Sequence, residues 1–430
     1  MGTMNIEVTP RSALCDVRLG IRVSGLPPSG KVKLHASLTY PWAEGVAYES
    51  ESTFTADSSG AVDLSRHKPD SGSYDFADSM GPLLSLKRVR GDFREVMKDI
   101  AVDQHLIVDL TAECGADRSS VRIERPFLAP GLKRLEIRDE FVGDLFYAEN
   151  ARRKTIIVLG GSSNEDLCTI LPPSALLASR GFNVLALAFF GQKGLNSALA
   201  EIPLEYFEKV FAWLEQNPIT RCRELYVYGG SIGAVMALLL ASRYPLITRV
   251  VAVDPLAWCF QGLTPRRVSL CTHGGRSLPF VRLAWGASLA YILSCIIHNK
   301  PFGFAAIYRK SLEAAKNREE ARIKVENSNA DLLLFGGQKD GWWDTHAACQ
   351  EIVERLAKSH YPHSCEYVTY EDGGHACYPP FIVPVEELSA PVKVAPRLIL
   401  SEGVSPKANA HMLEDGWGRA VRFFQKGDPA

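Results

Sequence analysis

The spacing of hydrophobic and polar residues changes about a third of the way along the chain. Up to about residue 124, apolar and polar residues alternate in short segments, clearest at 17–23 and 32–38. Segments rich in Gly, Pro, Ser and Asp, such as residues 25–30 and 69–72, separate them. A period of two at this short spacing predicts antiparallel strands, each with one buried face. We therefore expect this part to form an all-β sandwich that ends near residue 131.

Continuous apolar runs replace the alternation further along. They lie at residues 155–159, 184–188, 225–228, 250–253 and 332–335, and a further strand is expected at 367–370. Helical periodicity appears between them at 204–214 and again at 409–424. Strands that are apolar on both faces and alternate with helices predict a mostly parallel sheet covered on both sides. The prediction is an α/β chain of two domains, residues 1–131 and 132–430.

One short motif in the second domain carries chemistry. Residues 229–233 read Gly-Gly-Ser-Ile-Gly, a G-x-S-x-G pattern between an apolar run and a small-residue stretch at 234–241. Strand, sharp turn and helix in that order lift a serine hydroxyl to the tip of a strained turn. The helix N-terminus then offers N–H groups to a developing oxyanion. We interpret Ser231 as a nucleophile rather than an incidental serine in a glycine-rich turn.

A nucleophilic serine needs a base, and the base needs an orienting acid. In sheets of this kind the order along the chain is serine, acid, histidine. Asp340 follows one buried strand and His375 lies in a glycine loop after the next. Asp254 and Asp344 are the alternatives for the acid. Because the carboxyl ends of parallel strands share one edge, we expect Ser231, Asp340 and His375 to meet there.

The oxyanion of such a reaction needs two N–H donors. The first is expected to be the backbone N–H of Ile232, directly after the nucleophile. The second is expected from the loop at 160–163, which follows an early strand, and either Gly161 or Ser162 could supply it.

Charge and cysteine content narrow the function classes. The formal net charge is -1, so nothing in the overall balance predicts nucleic acid or an anionic membrane as partner. The ten cysteines include no C-x-x-C pair and no zinc-type spacing with histidine, which predicts reduced thiols in a cytoplasmic protein. The first residues also lack the apolar core of a secretory signal. We expect neither a metal nor a cofactor.

An apolar stretch at residues 283–298 resembles a membrane span in composition. It is shorter than a span requires, and Arg282 and Lys300 bracket it. We expect a buried helix, or a helix that caps the active site, and no stable membrane insertion.

Several segments together resemble one known family over nearly the whole chain. They lie at residues 21–26, 78–84, 125–131, 204–208, 335–340 and 374–380. They make the chain similar to the acyl-CoA thioesterase and bile acid-CoA:amino acid N-acyltransferase family. The resemblance implies an immunoglobulin-like sandwich followed by an α/β-hydrolase domain, with nucleophile, acid and base at Ser231, Asp340 and His375.

The residue type at the nucleophile position separates activities within that family. Its thioesterases use serine, whereas its amino-acid conjugating members typically use cysteine. Ser231 therefore implies hydrolysis of an acyl thioester, carried by CoA or by a carrier protein, through an acyl-serine. The alternatives are acyl transfer to an amine or alcohol and a non-catalytic binding protein. Two departures from the family are Ile232, where many relatives have a polar residue, and the more apolar segment at 283–308.

Overall fold

The structure is a computed structural model that describes residues 3–149, 151–162 and 167–427. Its chain forms two compact units. Unit 1 comprises Met1–Ala129 with Pro379–Ser389, and unit 2 comprises Pro130–Tyr378 with Ala390–Ala430. The predicted boundary between residues 131 and 132 stays a prediction. The segment Pro379–Ser389, which the sequence interpretation places in the second domain, groups with unit 1.

Unit 1 consists mainly of two antiparallel sheets. The strands are β1 (Asn5–Thr9), β2 (Gly20–Ser24), β3 (Lys31–Thr39), β4 (Ala47–Thr55), β5 (Val62–Asp63), β6 (Ser71–Gly72), β7 (Lys87–Arg90), β8 (Leu106–Cys114) and β9 (Asp117–Arg125). One sheet has the order β1-β2-β5, and the other β6-β4-β3-β8-β9 with β7 paired to β4. Two short helices interrupt them, α1 (Gly81–Leu84) and α2 (Phe93–Lys98). Along β3 the residues alternate between more and less buried, so the predicted all-β region is confirmed.

Unit 2 is built on one eight-stranded sheet. Its order is β10 (Leu132–Ile137), β11 (Gly143–Ala148), β13 (Asn183–Leu187), β12 (Thr155–Leu159), β15 (Leu225–Gly230), β16 (Ile247–Val253), β19 (Asp331–Gly337) and β20 (Cys365–Tyr370). Pairing is parallel from β13 to β20 and antiparallel at β10 and β11. Every residue of β12 and β13 is buried. The mostly parallel α/β-hydrolase sheet is therefore confirmed.

Helices and small sheets surround the main sheet. The helices are α3 (Leu171–Ala178), α4 (Leu204–Gln216), α5 (Ile232–Ala241), α6 (Trp285–His298), α7 (Ala305–Ala314), α8 (Thr345–Lys358) and α10 (Pro406–Gln425), and α9 (Val385–Leu388) belongs to unit 1. The small strands are β14 (Ile202–Pro203), β17 (Cys271–His273) and β18 (Arg276–Ser277) in one sheet, and β21 (Val392–Ala395) and β22 (Leu398–Leu400) in a hairpin. Among the described residues, no helix is both long enough and apolar enough to cross a membrane.

Candidate active site

Ser231 is the single residue between a strand and a helix. β15 ends at Gly230 and α5 begins at Ile232, so Ser231 forms the whole turn. Its φ of 57° and ψ of -124° lie where residues other than glycine are rare. Such a conformation costs about 1–3 kcal/mol and persists only where the surroundings hold it. The N–H of Ser231 donates to the carbonyl of Val253, 2.9 Å away, which ties the turn to β16.

The outer glycines of the motif let helix and strand approach closely. A Cβ at Gly229 would lie 2.2 Å from the carbonyl oxygen of Gly233. A Cβ at Gly233 would lie 2.2 Å from the carbonyl oxygen of Leu159, at the end of β12. Neither position has room for a side chain, so the motif's glycines are needed by the packing around the serine.

The structure brings Ser231, Asp340 and His375 into one hydrogen-bonded line. Ser231 Oγ lies 3.0 Å from His375 Nε2, and His375 Nδ1 lies 2.8 Å from Asp340 Oδ2. The alternative acid Asp254 is farther away, with Oδ2 at 3.8 Å from Nδ1. Asp344 instead caps α8, where its Oδ1 accepts from the N–H of Ala347 over 3.1 Å. The geometry therefore favours Asp340 over both competitors as the partner of the imidazole.

Asp340 is held by donors from the residues that follow it. Its Oδ1 accepts from the N–H groups of Trp342 and Trp343, at 2.8 and 3.2 Å. Its Oδ2 accepts from the hydroxyl of Thr345, the first residue of α8, as well as facing His375. These hydrogen bonds fix the direction of the carboxylate. It is suited to hold one tautomer of the imidazole.

Asp254 is a second buried acid beside the histidine loop. It follows β16 and adopts a φ of 52°. Its Oδ2 accepts from the N–H of Ala376 over 3.0 Å and lies 3.1 Å from the thiol of Cys377. Burial raises the pKa of Asp254 well above its usual 3.8. Asp254 thus anchors the backbone after His375 instead of pairing with the imidazole.

Glu402 is a site residue that the sequence interpretation missed. It lies between β22 and α10, outside any recognisable motif. Its carboxylate accepts from the N–H of His375, at 3.0 and 3.1 Å, and from the N–H of Gly341, at 3.0 Å. A Cβ at Gly374 would lie 2.0 Å from Glu402 Oε2, so the glycine makes room for the carboxylate. The only signal in the sequence was the glycines in the loops that contain Asp340 and His375. These glycines do not reveal that Glu402 packs against them.

Two family models match successive parts of the chain. The one described as the acyl-CoA thioester hydrolase/BAAT N-terminal region matches residues 16–139. The one described as the BAAT/acyl-CoA thioester hydrolase C-terminal region matches residues 202–427. The protein belongs to the acyl-CoA thioester hydrolase/BAAT family. The resemblance predicted from the sequence motifs is confirmed.

Relatives in this family align over nearly the full chain. Acyl-coenzyme A thioesterase 5 of Mus musculus is 28% identical over 99% of this chain and 96% of its own length. Acyl-coenzyme A amino acid N-acyltransferase 1 of Mus musculus is 26% identical over 98% and 97%. A solved structure, a putative dienelactone hydrolase from Klebsiella pneumoniae, gives a TM-score of 0.39 at 14% identity, over 69% of this chain and 98% of that one. Membership of the acyl-CoA thioester hydrolase/BAAT family thus leaves hydrolysis and acyl transfer both open.

The imidazole of this family member sits in an apolar and acidic setting. Burial lowers the pKa of His375, but the carboxylates of Asp340, Asp254 and Glu402 together outweigh it and raise the pKa above its usual 6.5. The edge of one tryptophan ring, Trp343, meets His375 with centroids 5.0 Å apart. Only 11% of the histidine side chain is exposed. Little water therefore reaches the imidazole.

Cys377 packs beside Gly230, the residue before the nucleophile, and its thiol is not poised to react. Burial, reinforced by Asp254, raises the pKa of its thiol far above the usual 9. The ligand-type atoms of Asp254, His375 and Cys377 lie within 4.8 Å of one another, close enough for a metal ion. A protonated thiol and an imidazole already bonded to Asp340 suit a hydrogen-bonded cluster better than metal ligation.

The expected oxyanion donors lie beside the serine. Ile232 is the first residue of α5, and its N–H has no partner within the described residues. Gly161 and Ser162 follow β12 in the neighbouring loop, while Ser163 falls outside the described residues. A Cβ at Gly161 would lie 3.2 Å from Ser231 Cβ and 3.5 Å from its Oγ. This loop of the acyl-CoA thioester hydrolase/BAAT fold therefore passes directly beside the serine hydroxyl.

Proposed function

We propose that the protein is a serine-dependent hydrolase that cleaves acyl thioesters of coenzyme A. The observation that carries the proposal is the line of hydrogen bonds from Asp340 through His375 to Ser231. It is supported by the relatives of this family, several of which are named acyl-coenzyme A thioesterases. A hydroxyl, a base and an orienting acid in this arrangement are what acyl transfer to serine requires.

In the first half of the proposed reaction, His375 Nε2 takes the proton of Ser231 as Oγ attacks the thioester carbonyl carbon. The carbonyl oxygen becomes an oxyanion, which the N–H of Ile232 and an N–H of Gly161 or Ser162 stabilise. The carbon–sulfur bond then breaks, and His375 returns the proton to the leaving sulfur. Asp340 stabilises the imidazolium that exists between these two proton transfers.

In the second half, water replaces the thiol. His375 takes a proton from water, and the oxygen attacks the acyl-serine carbon. When the second tetrahedral intermediate collapses, the acid leaves and the proton passes from His375 to Ser231 Oγ. The free serine is restored, and the net reaction is thioester plus water to acid plus thiol.

The test is to replace the nucleophile and to trap the intermediate. Ser231→Ala should lower acyl-CoA hydrolysis, followed as released thiol, by roughly 10⁴-fold or more. Ser277→Ala, at an exposed serine of β18, is the matched control and should retain the native rate. Mass spectrometry of rapidly quenched enzyme should show the acyl group on Ser231. A Ser231→Ala variant that hydrolyses acyl-CoA at the native rate would disprove the proposal.

Acyl transfer is the second candidate, because one relative is named an amino acid N-acyltransferase and aligns as fully as the thioesterases do. The acyl-serine would be the same, and an amine or alcohol would replace water in the second half. A protein-bound thioester would serve equally as donor. Product analysis with and without glycine or simple alcohols separates the candidates, since free acid alone in every reaction would exclude transfer.

A further inference from the structure

Helix α6 presents a row of apolar side chains to solvent. Trp285, Leu289, Leu293 and Ile297 are each between 45% and 72% exposed. A spacing of four residues places them along one side of a helix. We refer to these four side chains as the α6 face. The sequence interpretation expected a buried or capping helix here, and the structure buries only its opposite side.

The chain segment that contains α6 carries charged side chains of positive sign only. Residues 274–312 contain no carboxylate, and their lysines and arginines are Arg276, Arg282, Lys300, Arg309 and Lys310. The hairpin β21–β22 adds Lys393 and Arg397, together with exposed Val392 and Ile399. It lies next to this region, because the N–H of Phe302 donates to the carbonyl of Ile399 over 2.9 Å. The near-zero net charge of the whole chain conceals this local excess of cations.

A row of aromatic rings connects the α6 face to the candidate active site. The rings of Trp285 and Phe304 have centroids 6.4 Å apart. Phe304 stacks on Trp342 at 5.5 Å, and Trp342 lies 6.0 Å from the imidazole of His375. Aromatic ring contacts therefore run without a break from α6 to the histidine.

We propose that the α6 face docks on a membrane surface that contains anionic phospholipids, with the helix lying in the plane of the interface. The helix has 14 residues and is about 21 Å long, which is too short to cross about 30 Å of hydrocarbon. Trp285 at one end and cations at both ends match the groups that favour the lipid headgroup region. Each lysine or arginine near an anionic surface strengthens binding about fivefold.

A second copy of the chain fits this surface less well than anionic lipid does. An antiparallel pairing of two α6 helices would bring the Arg282 end of one copy against the Lys300 end of the other. No carboxylate within residues 274–312 would offset the repulsion. The phosphate headgroups of anionic lipids supply negative charge at both ends of α6, which a second copy of the helix does not.

Docking would place Trp285, the outer end of the row of rings, at the layer where amphiphiles collect. An acyl thioester with a long chain is such an amphiphile, and this step alone rests on the proposed function. Binding to the membrane does not, so vesicle binding and thioester hydrolysis succeed or fail independently.

The experiment is cosedimentation of the full chain with two kinds of vesicle, phosphatidylcholine alone and phosphatidylcholine mixed with phosphatidylserine. Binding should be stronger to the mixed vesicles and should weaken as salt is added. Leu289→Gln with Leu293→Gln should lower the partition coefficient at least about tenfold. Leu263→Gln changes a leucine that is 46% exposed and lies outside α6, and it should bind like the unaltered protein.

Variants that remove single positive charges measure the electrostatic contribution to vesicle binding. Arg282→Gln and Lys300→Gln should each weaken binding to mixed vesicles about fivefold and leave phosphatidylcholine binding unchanged. Lys193→Gln, at an exposed lysine elsewhere in unit 2, is the control. The proposal is overturned if the unaltered protein does not sediment with mixed vesicles, or if Leu263→Gln loses binding equally. It is also overturned if the protein is a dimer that the double leucine variant makes monomeric.

Discussion

The carboxylate of Glu402 binds the backbone of His375 and not its imidazole. It accepts from the N–H of His375 over 3.0 and 3.1 Å and at the same time from the N–H of Gly341 over 3.0 Å. Gly341 directly follows Asp340, so one side chain joins the loop of the proposed acid to the loop of the proposed base. Besides the direct bond between Asp340 and His375, the two loops are thus joined by a residue whose carboxylate bonds neither functional group.

Removing Glu402 should misplace the imidazole without removing any reacting atom. We expect Glu402→Ala to lower kcat by up to about a hundredfold with little change in KM, because displacement of about 1 Å costs that much. Glu402→Gln keeps an acceptor and should recover part of the loss. Glu371→Gln, at an exposed position near the same loop, is the control. Steady-state kinetics with an acyl-CoA substrate measure all three.

The same variants should change the pH profile. The general base must be neutral, so kcat/KM should rise with pH through a midpoint above 6.5, because carboxylates raise the pKa of His375. Glu402→Gln removes one of these charges, and its midpoint should move to lower pH. An unchanged midpoint, with activity lost only in proportion to folded protein, would show that Glu402 is merely structural.

Two aspartates compete for the role of acid, and amide substitutions separate them. Asp340→Asn should lower kcat by about 10⁴-fold, because the amide favours the wrong imidazole tautomer. Asp254→Asn should cost far less, since its carboxylate lies 3.8 Å from Nδ1 and mainly holds Ala376. The ratio of the two losses is the measurement. A larger loss in Asp254→Asn would reverse the assignment.

Asp254 should also make stability depend on pH. Burial raises its pKa in the folded protein above the usual 3.8, so the folded state holds this proton to higher pH than the unfolded chain does. Its contribution is complete below pH 3.8 and declines as pH rises towards the folded pKa. Asp254→Asn removes that decline. As pH rises from about 5 to about 8, the unfolding temperature of the variant should therefore increase relative to that of the unaltered protein. A constant difference would contradict the raised pKa.

Because α5 lies close to the end of β12 at the serine turn, we predict that Gly233 cannot be replaced without loss of stability. Gly233→Ala would put a Cβ 2.2 Å from the carbonyl of Leu159, and we expect a loss of about 3 kcal/mol in the free energy of unfolding. Gly286→Ala, in the first turn of α6, meets nothing within 4 Å. It should be neutral or stabilising by up to about 1 kcal/mol. Denaturant unfolding of both variants gives the comparison.

Much of the sheet and of the candidate site follows from local patterns. A strand buried on both faces must be apolar at every position, so runs such as 155–159 and 332–335 could be located directly. Parallel strands end at one edge, which made the meeting of Ser231, Asp340 and His375 predictable from chain order alone.

The remaining features depend on contacts that no local pattern encodes. Glu402 binds Gly341 across 61 positions of the chain, and Asp254 binds Ala376 across 122. The sequence of an uncharged apolar helix does not show whether its outer face is covered. The exposure of α6 could therefore be seen only from its position in the folded chain. The excess of cations near it was visible in the sequence but was averaged away in the net charge.

The path of the chain after the histidine loop affects how the protein is made. Unit 1 includes Pro379–Ser389, where the hydroxyl of Tyr40 donates to the carbonyl of Ile382 over 2.7 Å, and Arg88 pairs with Glu387 over 2.9 Å. During synthesis, these partners leave the ribosome some three hundred residues after Tyr40 and Arg88. Unit 1 therefore cannot complete its contacts ahead of the rest of the chain, although N-terminal domains generally fold first. A gene truncated after residue 129 would therefore encode unit 1 without its segment Pro379–Ser389.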